Sequence, residues 1–324
     1  MDDKSLLWIE KYRPKNFNEI LGQSTNIKTI ENVIKNGSFP HMIFNGKSGT
    51  GKTSTIMAVI NKLYGKNTTF MVMKLDASDD RGINAVRDEI KGFAEKITLF
   101  NRGIKVIILD EADSMTFDAQ FALRRIIEKY SDTTRFCLIC NYENKIIPPI
   151  KSRCVNFRFN PIKNHIIVDK LKFISEKENI KEVNNSLNVI AELANGDLRK
   201  AINLLQSISM RSKEITEELC YETAGVPNIN DVEEIYFKLI DKDISFNELY
   251  QLLVNKIIDK GISLSLFLGQ LTKIIFKHRT LIDQNELAKY LNKLAHLEYS
   301  VSTSTFGTIY VISLIGIFKK KIEK

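Results

Sequence analysis

The stretch Gly46-Lys47-Ser48-Gly49-Thr50-Gly51-Lys52-Thr53 decides the fold. It matches the pattern G-x-x-x-x-G-K-[ST] at every fixed position, between an apolar run that predicts a strand over residues 41–45 and a helical pattern over residues 52–64. Glycines in such a loop let backbone N–H groups turn toward phosphate oxygens, and the following helix adds its positive end. The stretch therefore predicts a phosphate-binding loop, in which Lys52 reaches the β- and γ-phosphates and Thr53 binds Mg²⁺.

A second motif is an apolar run that ends in acids, Val106-Ile107-Ile108-Leu109-Asp110-Glu111-Ala112-Asp113. A parallel strand of this kind places its carboxylates at the carboxyl edge of the sheet, beside the phosphate-binding loop. We expect Asp110 to hold Mg²⁺, directly or through water, and Glu111 to orient and deprotonate the attacking water. An acidic cap between strand and helix is the alternative. The pairing with the phosphate-binding loop favours a Mg²⁺-dependent nucleoside triphosphatase.

Short apolar runs alternate with helical periodicity in the first half of the chain, which predicts an α/β domain with a largely parallel sheet. Strands are predicted over residues 41–45, 70–75, 105–109, 135–140 and 154–159, and helices over residues 25–35, 52–64, 83–96 and 119–130. After residue 160 the pattern is helical throughout and predicts no further strand. These helices are expected over residues 166–178, 186–193, 198–209, 232–240, 246–256, 264–278, 285–300 and 305–321, with a break at residues 225–228.

The composition is that of an ordinary globular protein. The chain has 324 residues, 44% of them hydrophobic and 27% charged, which excludes disorder, collagen and coiled coil as the main architecture. Lys and Arg outnumber Asp and Glu by 47 to 39, a net charge of +8. This charge permits a polyanionic partner, although a solvated basic surface is the alternative.

The four cysteines do not form a disulfide framework, and a reducing compartment fits them. Cys137 and Cys140 lie three apart in a predicted strand, so they point to opposite faces and are expected to be buried thiols rather than zinc ligands. The first residues lack the pattern of a signal peptide. The apolar stretch 306–318 is too short to span a membrane and predicts a buried helix, so we expect a soluble protein with no membrane partner.

Further motifs stand in a fixed order from Trp8 to about Gln206. They are W-I-E-K-Y-R-P (residues 8–14), G-Q (22–23), L-D-A-S-D-D-R-G-I (75–83), D-E-A-D-S-M (110–115), A-L-R-R (122–125), T-R-F (134–136), S-R-C (152–154) and G-D-L-R (196–199). Together they resemble the clamp-loader AAA+ subunits, the small subunits of replication factor C. Within that family the likeness is expected to be greatest to subunit 2 of the animal complex.

The resemblance implies a role for individual residues around ATP. The adenine pocket would be lined by Ile9, Tyr12, Arg13 and Leu21, for which packing of an N-terminal arm is the alternative. The phosphate-binding set would comprise Gly46, Lys47, Ser48, Gly49, Thr50, Gly51, Lys52, Thr53 and Ser54. Asn141 would be sensor 1, which bonds the γ-phosphate or the attacking water, and Arg199 would be sensor 2 on a helical lid.

The resemblance also implies partners. Arg153 would be the arginine finger that reaches the ATP of a neighbouring subunit, so a single chain would have an incomplete catalytic site. The residues Arg81, Arg87, Lys91 and Lys145 would contact the backbone phosphates of duplex DNA without reading its sequence. A solvated basic face is the alternative, most of all for Lys91. The Asn usual in L-N-A-S-D is Asp76 here, and an acid at that position could repel Glu111 and alter the control of hydrolysis.

We therefore expect an ATPase subunit of a hetero-pentameric loader that opens a ring-shaped sliding clamp and loads it onto primer–template DNA in replication and repair, in the nucleus. ATP and Mg²⁺ would be its cofactors. An AAA+ domain (residues 1–160), a helical lid (161–225) and a helical collar (226–324) are expected. Two alternatives stay open: an ATP-binding scaffold subunit with little hydrolysis, and an AAA+ helicase or branch-migration motor.

Overall fold

The computed structural model describes residues 7–37, 39–65, 68–78, 83–96, 103–241, 243–281, 283–303 and 307–319. The chain divides into two compact units. The first unit comprises residues 1–179 and 187–206, and the second comprises residues 180–186 and 207–324. Each unit is built around apolar clusters of its own.

Within the described residues, the first unit contains a five-stranded sheet in the order β2-β3-β4-β1-β5. All neighbouring strands in it are parallel, as the sequence predicts. Its strands are β1 (Met42–Gly46), β2 (Val72–Asp76), β3 (Lys105–Asp110), β4 (Thr134–Cys140) and β5 (Val155–Phe159). β1 lies between β4 and β5, so the phosphate-binding loop leaves the sheet from an inner strand whose residues 42–45 are buried.

The helices of the first unit follow the predicted pattern closely, and α3 has the predicted bounds. They are α1 (Trp8–Lys11), α2 (Ser24–Lys35), α3 (Lys52–Tyr64), α4 (Thr68–Met71), α5 (Ile83–Glu95), α6 (Phe117–Lys129), α7 (Pro148–Lys151), α8 (Asn164–Lys177), α9 (Ser186–Ala194) and α10 (Leu198–Arg211). The helix ends predicted from the sequence pattern differ by one or two residues from those defined by hydrogen bonding, which is usual for helix termini. Three helices of four residues each, α1, α4 and α7, were not predicted, and residues 70 and 71 of α4 were predicted to begin a strand.

Consecutive residues of the inner strands face opposite sides of the sheet, and each side has an apolar cluster. Phe44 and Cys137 belong to one cluster, with residues from α2 and α3. Ile43 and Cys140 belong to the other, with residues from α5 and α6. The two thiols thus lie on opposite faces of β4, as predicted, and burial raises the pKa of Cys140 to about 12.

The second unit contains a helical core, α11 to α16, and a two-stranded ribbon. The helices are α11 (Glu217–Ala224), α12 (Ile229–Ile240), α13 (Phe246–Leu253), α14 (Leu264–Lys277), α15 (Gln284–Thr303) and α16 (Gly307–Phe318). Gly225, with a φ of 64°, ends α11, and Asn228 caps α12, so the chain breaks where predicted. Residues 254–258 form a π-helical turn after α13 instead of extending it.

The ribbon corrects the prediction of no strand after residue 160. β6 (Lys181–Glu182) pairs with β7 (Glu214–Ile215) in parallel. Two residues are too few to produce a period-2 pattern, so this pairing leaves no signal in the sequence. The apolar stretch near the end of the chain is α16, where Val311, Leu314 and Ile315 are fully buried in the core of this unit. In the described part of the chain, no helix has the length and apolar character needed to cross a membrane.

Candidate nucleotide-binding site

A cleft in the first unit collects most of the sequence-predicted ATP residues. Its lining includes Ile9, Tyr12, Arg13, Leu21, Ser48, Gly49, Thr50, Gly51, Lys52, Thr53, Ser54, Asp110, Glu111, Asn141 and Arg199. Gly46 and Lys47 do not line it; their carbonyl oxygens accept hydrogen bonds from Lys52 Nζ at 2.5 and 2.9 Å. One strand edge, one loop, the N-terminal arm and the start of α10 therefore meet at this cleft.

The loop after β1 needs glycine at two positions. Gly51 has a φ of 95° and caps α3, and Gly49 has a φ of 66°. A Cβ on Gly49 would lie 1.7 Å from the Asp197 carboxylate at the start of α10. A side chain at position 49 would therefore be strained by its backbone and would displace the carboxylate of Asp197, the residue that precedes the lid helix α10. Leu198 N also donates to Gly49 O at 3.3 Å, which joins α10 to the loop.

Lys52 is the buried cation of the site, with 8% of its surface exposed. Its ammonium donates to Asn141 Oδ1 at 3.0 Å as well as to the two loop carbonyls. Burial lowers the pKa of Lys52, and the nearby acids Asp110 and Asp113 oppose that shift. The hydrogen bond brings the predicted phosphate-binding lysine and the predicted sensor 1 together.

The predicted metal ligands also converge. Thr53 Oγ1 lies 3.4 Å from Asp110 Oδ2. A hydroxyl and a carboxylate are hard oxygen donors, the type that Mg²⁺ prefers, so the donor set fits this ion. Glu111 follows Asp110 directly; its carboxylate is exposed and makes no hydrogen bond to a residue that the structure describes.

Asp76 lies beside these acids, because β2 and β3 pair with Asp76 opposite Asp110. Its Oδ1 accepts hydrogen bonds from the Ser78 hydroxyl at 2.7 Å and the Ser78 backbone N–H at 3.0 Å. These bonds, with a smaller contribution from Lys74, hold the pKa of Asp76 below its usual value. The side chain is thus an ionised carboxylate engaged by its own turn.

Two residues that received no role from the sequence fix the sensor loop. Asp113 Oδ2 accepts hydrogen bonds from the backbone N–H groups of Asn141 and Tyr142 at 3.3 and 3.1 Å. The buried Gln120 accepts from Ile147 N at 2.9 Å and donates to Lys145 O at 2.9 Å. Asp113 had a detectable signal as the last acid of D-E-A-D, whereas a single Gln in a helix gives none.

The N-terminal arm is held by polar anchors. Tyr12 Oη donates to Glu178 Oε1 at 2.5 Å, and Lys11 Nζ contacts the same oxygen at 2.8 Å. Trp8 N donates to Gln206 Oε1 at 3.0 Å. The arm therefore packs on the lid helices α8 and α10, and it borders the cleft through Ile9, Tyr12 and Arg13. Gln23, 4% exposed, donates to Asn160 O at 2.8 Å and so ties the motif G-Q to the end of β5.

Arg153 lies away from the cleft of its own chain. Its guanidinium contacts Glu128 Oε1 at 2.6 Å and donates to Pro149 O at 2.7 Å. Arg124 Nε donates to the same Glu128 oxygen at 2.9 Å. The group is therefore held on the surface between α6 and α7 and does not reach the residues around Lys52.

The predicted DNA contacts are described only in part. Lys91, on α5, and Lys145, in a short 3₁₀ turn, are both exposed, and Lys145 Nζ lies 5.4 Å from the centre of the Tyr142 ring. Arg81 and the side chain of Arg87 lie outside the described residues. Their predicted contacts stay predictions.

This fold and this site define a P-loop ATPase of the AAA class. The family model for the ATPase family associated with various cellular activities (AAA) matches residues 42–162. The model for the RCF1/5-like AAA+ ATPase lid domain matches residues 169–210.

Curated relatives specify the family. A probable replication factor C subunit 5 of Dictyostelium discoideum is 45% identical over 320 residues, covering 98% of this chain and 91% of that protein. Human replication factor C subunit 5 is 40% identical, covering 98% and 92%, and Saccharomyces cerevisiae subunit 3 is 39% identical, covering 99% and 95%. The chain belongs to the small-subunit family of replication factor C, the clamp-loader AAA+ ATPases.

The expected likeness to subunit 2 is not confirmed, since these relatives are named subunit 5 or subunit 3. Among solved structures, the RuvB Holliday junction branch migration motor of Thermotoga maritima resembles the chain with a TM-score of 0.52 and 16% identity, covering 77% of this chain and 90% of that one. At this identity the likeness concerns the AAA+ fold. Neither the branch-migration motor nor the scaffold with little hydrolysis is favoured by the relatives.

Proposed function

We propose that this subunit binds and hydrolyses ATP with Mg²⁺ inside a hetero-pentameric loader, which opens a ring-shaped clamp and places it on primer–template DNA in replication and repair. The convergence of Lys52, Thr53, Asp110 and Asn141 on one cleft carries the proposal. The family of the chain supports the loader as its assembly, and the eukaryotic relatives support a nuclear location.

The residues of the chain divide the chemistry among them. Backbone N–H groups of residues 46–53 and the Lys52 ammonium bind the phosphates, and Thr53 and Asp110 hold Mg²⁺. When bound, Mg²⁺ would neutralise the charge that develops on the phosphates. Glu111 accepts the proton of the attacking water, for which its carboxylate is exposed toward the cleft, and Asn141 orients the γ-phosphate or that water.

The lid and the arm enclose the nucleotide. Arg199 lines the cleft at the start of α10, from which it would reach the phosphates. Asp197 caps that helix by accepting a hydrogen bond from Lys200 N at 3.0 Å. Ile9, Tyr12, Arg13 and Leu21 line the cleft and would surround the adenine. We propose that this lid spans residues 161–225, between an AAA+ domain of residues 1–160 and a collar of residues 226–324 that joins the subunits.

Arg153 acts in the neighbouring site. Its distance from its own cleft and its exposed position between α6 and α7 support a role as a finger for the ATP of the next subunit. DNA inside the ring would meet Arg81, Arg87, Lys91 and Lys145 through its phosphates. Such contacts neutralise charge without reading bases, so binding should weaken as salt is added.

The test is the ATPase rate of the reconstituted loader with and without primed DNA and clamp. We expect both ligands together to stimulate hydrolysis. Arg153→Ala in this subunit should slow hydrolysis at the neighbouring site by up to ~10³-fold, while ATP binding by this chain is unchanged. A loader whose neighbouring site hydrolyses normally with Arg153→Ala would contradict the finger assignment.

A further inference from the structure

The carboxyl edge of β2 and β3 concentrates negative charge where ATP is to bind. Asp76 and Asp110 stand side by side in the parallel register, and Glu111 follows Asp110. All three border the same cleft. Bound ATP brings further negative charge, so an additional carboxylate at position 76 opposes nucleotide binding unless a cation offsets it.

Lys74 occupies a position from which it can supply that cation. Residues 74 and 76 are two apart on β2 and therefore project from the same face of the strand. Lys74 Nζ lies 3.3 Å from Asp110 Oδ2, the oxygen that also faces Thr53. The Lys74 side chain is 47% exposed and that of Asp110 is 21% exposed, so the pair is only partly screened by solvent.

We propose that Lys74 is a charge-compensating residue of the ATP site, which offsets the carboxylate of Asp76 and thereby preserves affinity for ATP. This inference rests on the proposed ATP site and adds to it a residue outside the family motifs. Its consequence is that positions 74 and 76 are coupled: the effect of either charge on ATP affinity depends on the presence of the other.

Equilibrium binding separates this coupling from catalysis. The full-length chain would be titrated with a fluorescent ATP analogue in EDTA and again in Mg²⁺, as wild type, Lys74→Met, Asp76→Asn and the double variant. In EDTA, Lys74→Met should weaken binding about two- to fivefold, because an uncompensated carboxylate is left, and Asp76→Asn should strengthen it by a similar factor. The double variant should bind within about twofold of wild type.

Lys62→Met is the matched control. Lys62 is 43% exposed and forms a comparable ion pair with Glu31 at 3.0 Å on α2. Its removal should leave ATP affinity unchanged. Added salt should shrink the differences between the variants at positions 74 and 76, since the interaction is electrostatic.

Two results overturn the inference. One is unchanged affinity in Lys74→Met while wild type binds the analogue; the other is a double variant that shows no compensation. A wild-type chain that bound no nucleotide would instead contradict the proposed function, and this inference with it.

Discussion

Glu111 adopts left-handed backbone, with a φ of 53°, immediately after β3. Such a conformation is unfavourable for a residue with a Cβ and is maintained by its surroundings. Here Ser114 donates from both its backbone N–H (2.9 Å) and its hydroxyl (2.7 Å) to Glu111 O. The tight turn redirects the chain so that Asp110 and Glu111 both border the cleft.

His41 is a second residue whose environment matters, because it makes folding stability depend on pH. Burial, reinforced by Arg135, lowers its pKa to about 4, and its Nδ1 accepts a hydrogen bond from Phe136 N at 3.1 Å. The unfolded chain, with a histidine pKa near 6.5, binds a proton more readily than the folded chain. Folding stability is therefore lost as the pH falls from 6.5 toward 4.

We predict that His41→Gln, which keeps an acceptor for Phe136, reduces the loss of stability between pH 7 and pH 5 by about 2 kcal/mol relative to wild type. Urea unfolding followed by the fluorescence of Trp8, the single tryptophan, reports on the first unit. His165→Gln, at an exposed position of the first unit, is the control and should behave as wild type. Equal acid sensitivity in wild type and His41→Gln would refute the prediction.

Among the elements, α5 depends on a lysine from a neighbouring strand. Lys105, 5% exposed, donates to the carbonyl oxygens of Phe93 at 2.8 Å and Ala94 at 3.5 Å, and also to Lys96 O. A cation at the C-terminal end of a helix donates hydrogen bonds to carbonyls that have no partner within the helix. It also interacts favourably with the negative end of the helix dipole. Lys105 thus fixes the end of the helix that carries Arg87 and Lys91.

Lys105→Met should destabilise the first unit by about 1–3 kcal/mol, because buried carbonyls lose their donor. The backbone amides of α5 should then exchange with deuterium faster than in wild type, measured by mass spectrometry. Lys129→Met removes a lysine that is 64% exposed and pairs with Glu95 at 3.7 Å, so it serves as the control and should change little. Unchanged exchange in α5 of Lys105→Met would show that the helix end is held by other contacts.

The elements also show what the sequence could predict. The parallel sheet and α3 follow from apolar runs and a glycine loop, which leave strong patterns. The predicted start of β2 was wrong because Phe70 and Met71 are apolar but lie in α4, where Phe70 is 71% exposed. The π-helical turn after α13 and the ribbon of β6 and β7 depend on long-range packing and pairing, which no local period encodes.

The residues of the candidate site likewise divide into those that the sequence could predict and those that it could not. Lys52, Thr53 and Asp110 were predictable because phosphate and Mg²⁺ chemistry demands those residue types at a fixed spacing. Gln120 and Lys74 were not, since their roles arise from which strands and loops become neighbours. The role of Glu128 could not be predicted either, because only the fold places it between Arg124 and Arg153.

In the molecule as a whole, we propose that the ATP chemistry is split between subunits. The cleft of this chain collects the groups that we propose to bind phosphate and Mg²⁺ and to activate water, while Arg153 is held on another surface by Glu128. We propose that a complete site in this chain requires the arginine finger of one neighbour, while Arg153 completes the site of the other. Under this proposal, hydrolysis depends on assembly of the loader.

The central claim is that this subunit hydrolyses the ATP that it binds. The most direct measurement is the ATP left on the reconstituted loader after a single turnover with clamp and primed DNA, compared between wild type and Glu111→Gln in this subunit alone. We predict that Glu111→Gln binds ATP as wild type does but retains about one additional ATP per loader, because the water lacks its base. No additional retained ATP with Glu111→Gln would contradict the claim and indicate a subunit that binds ATP without turning it over.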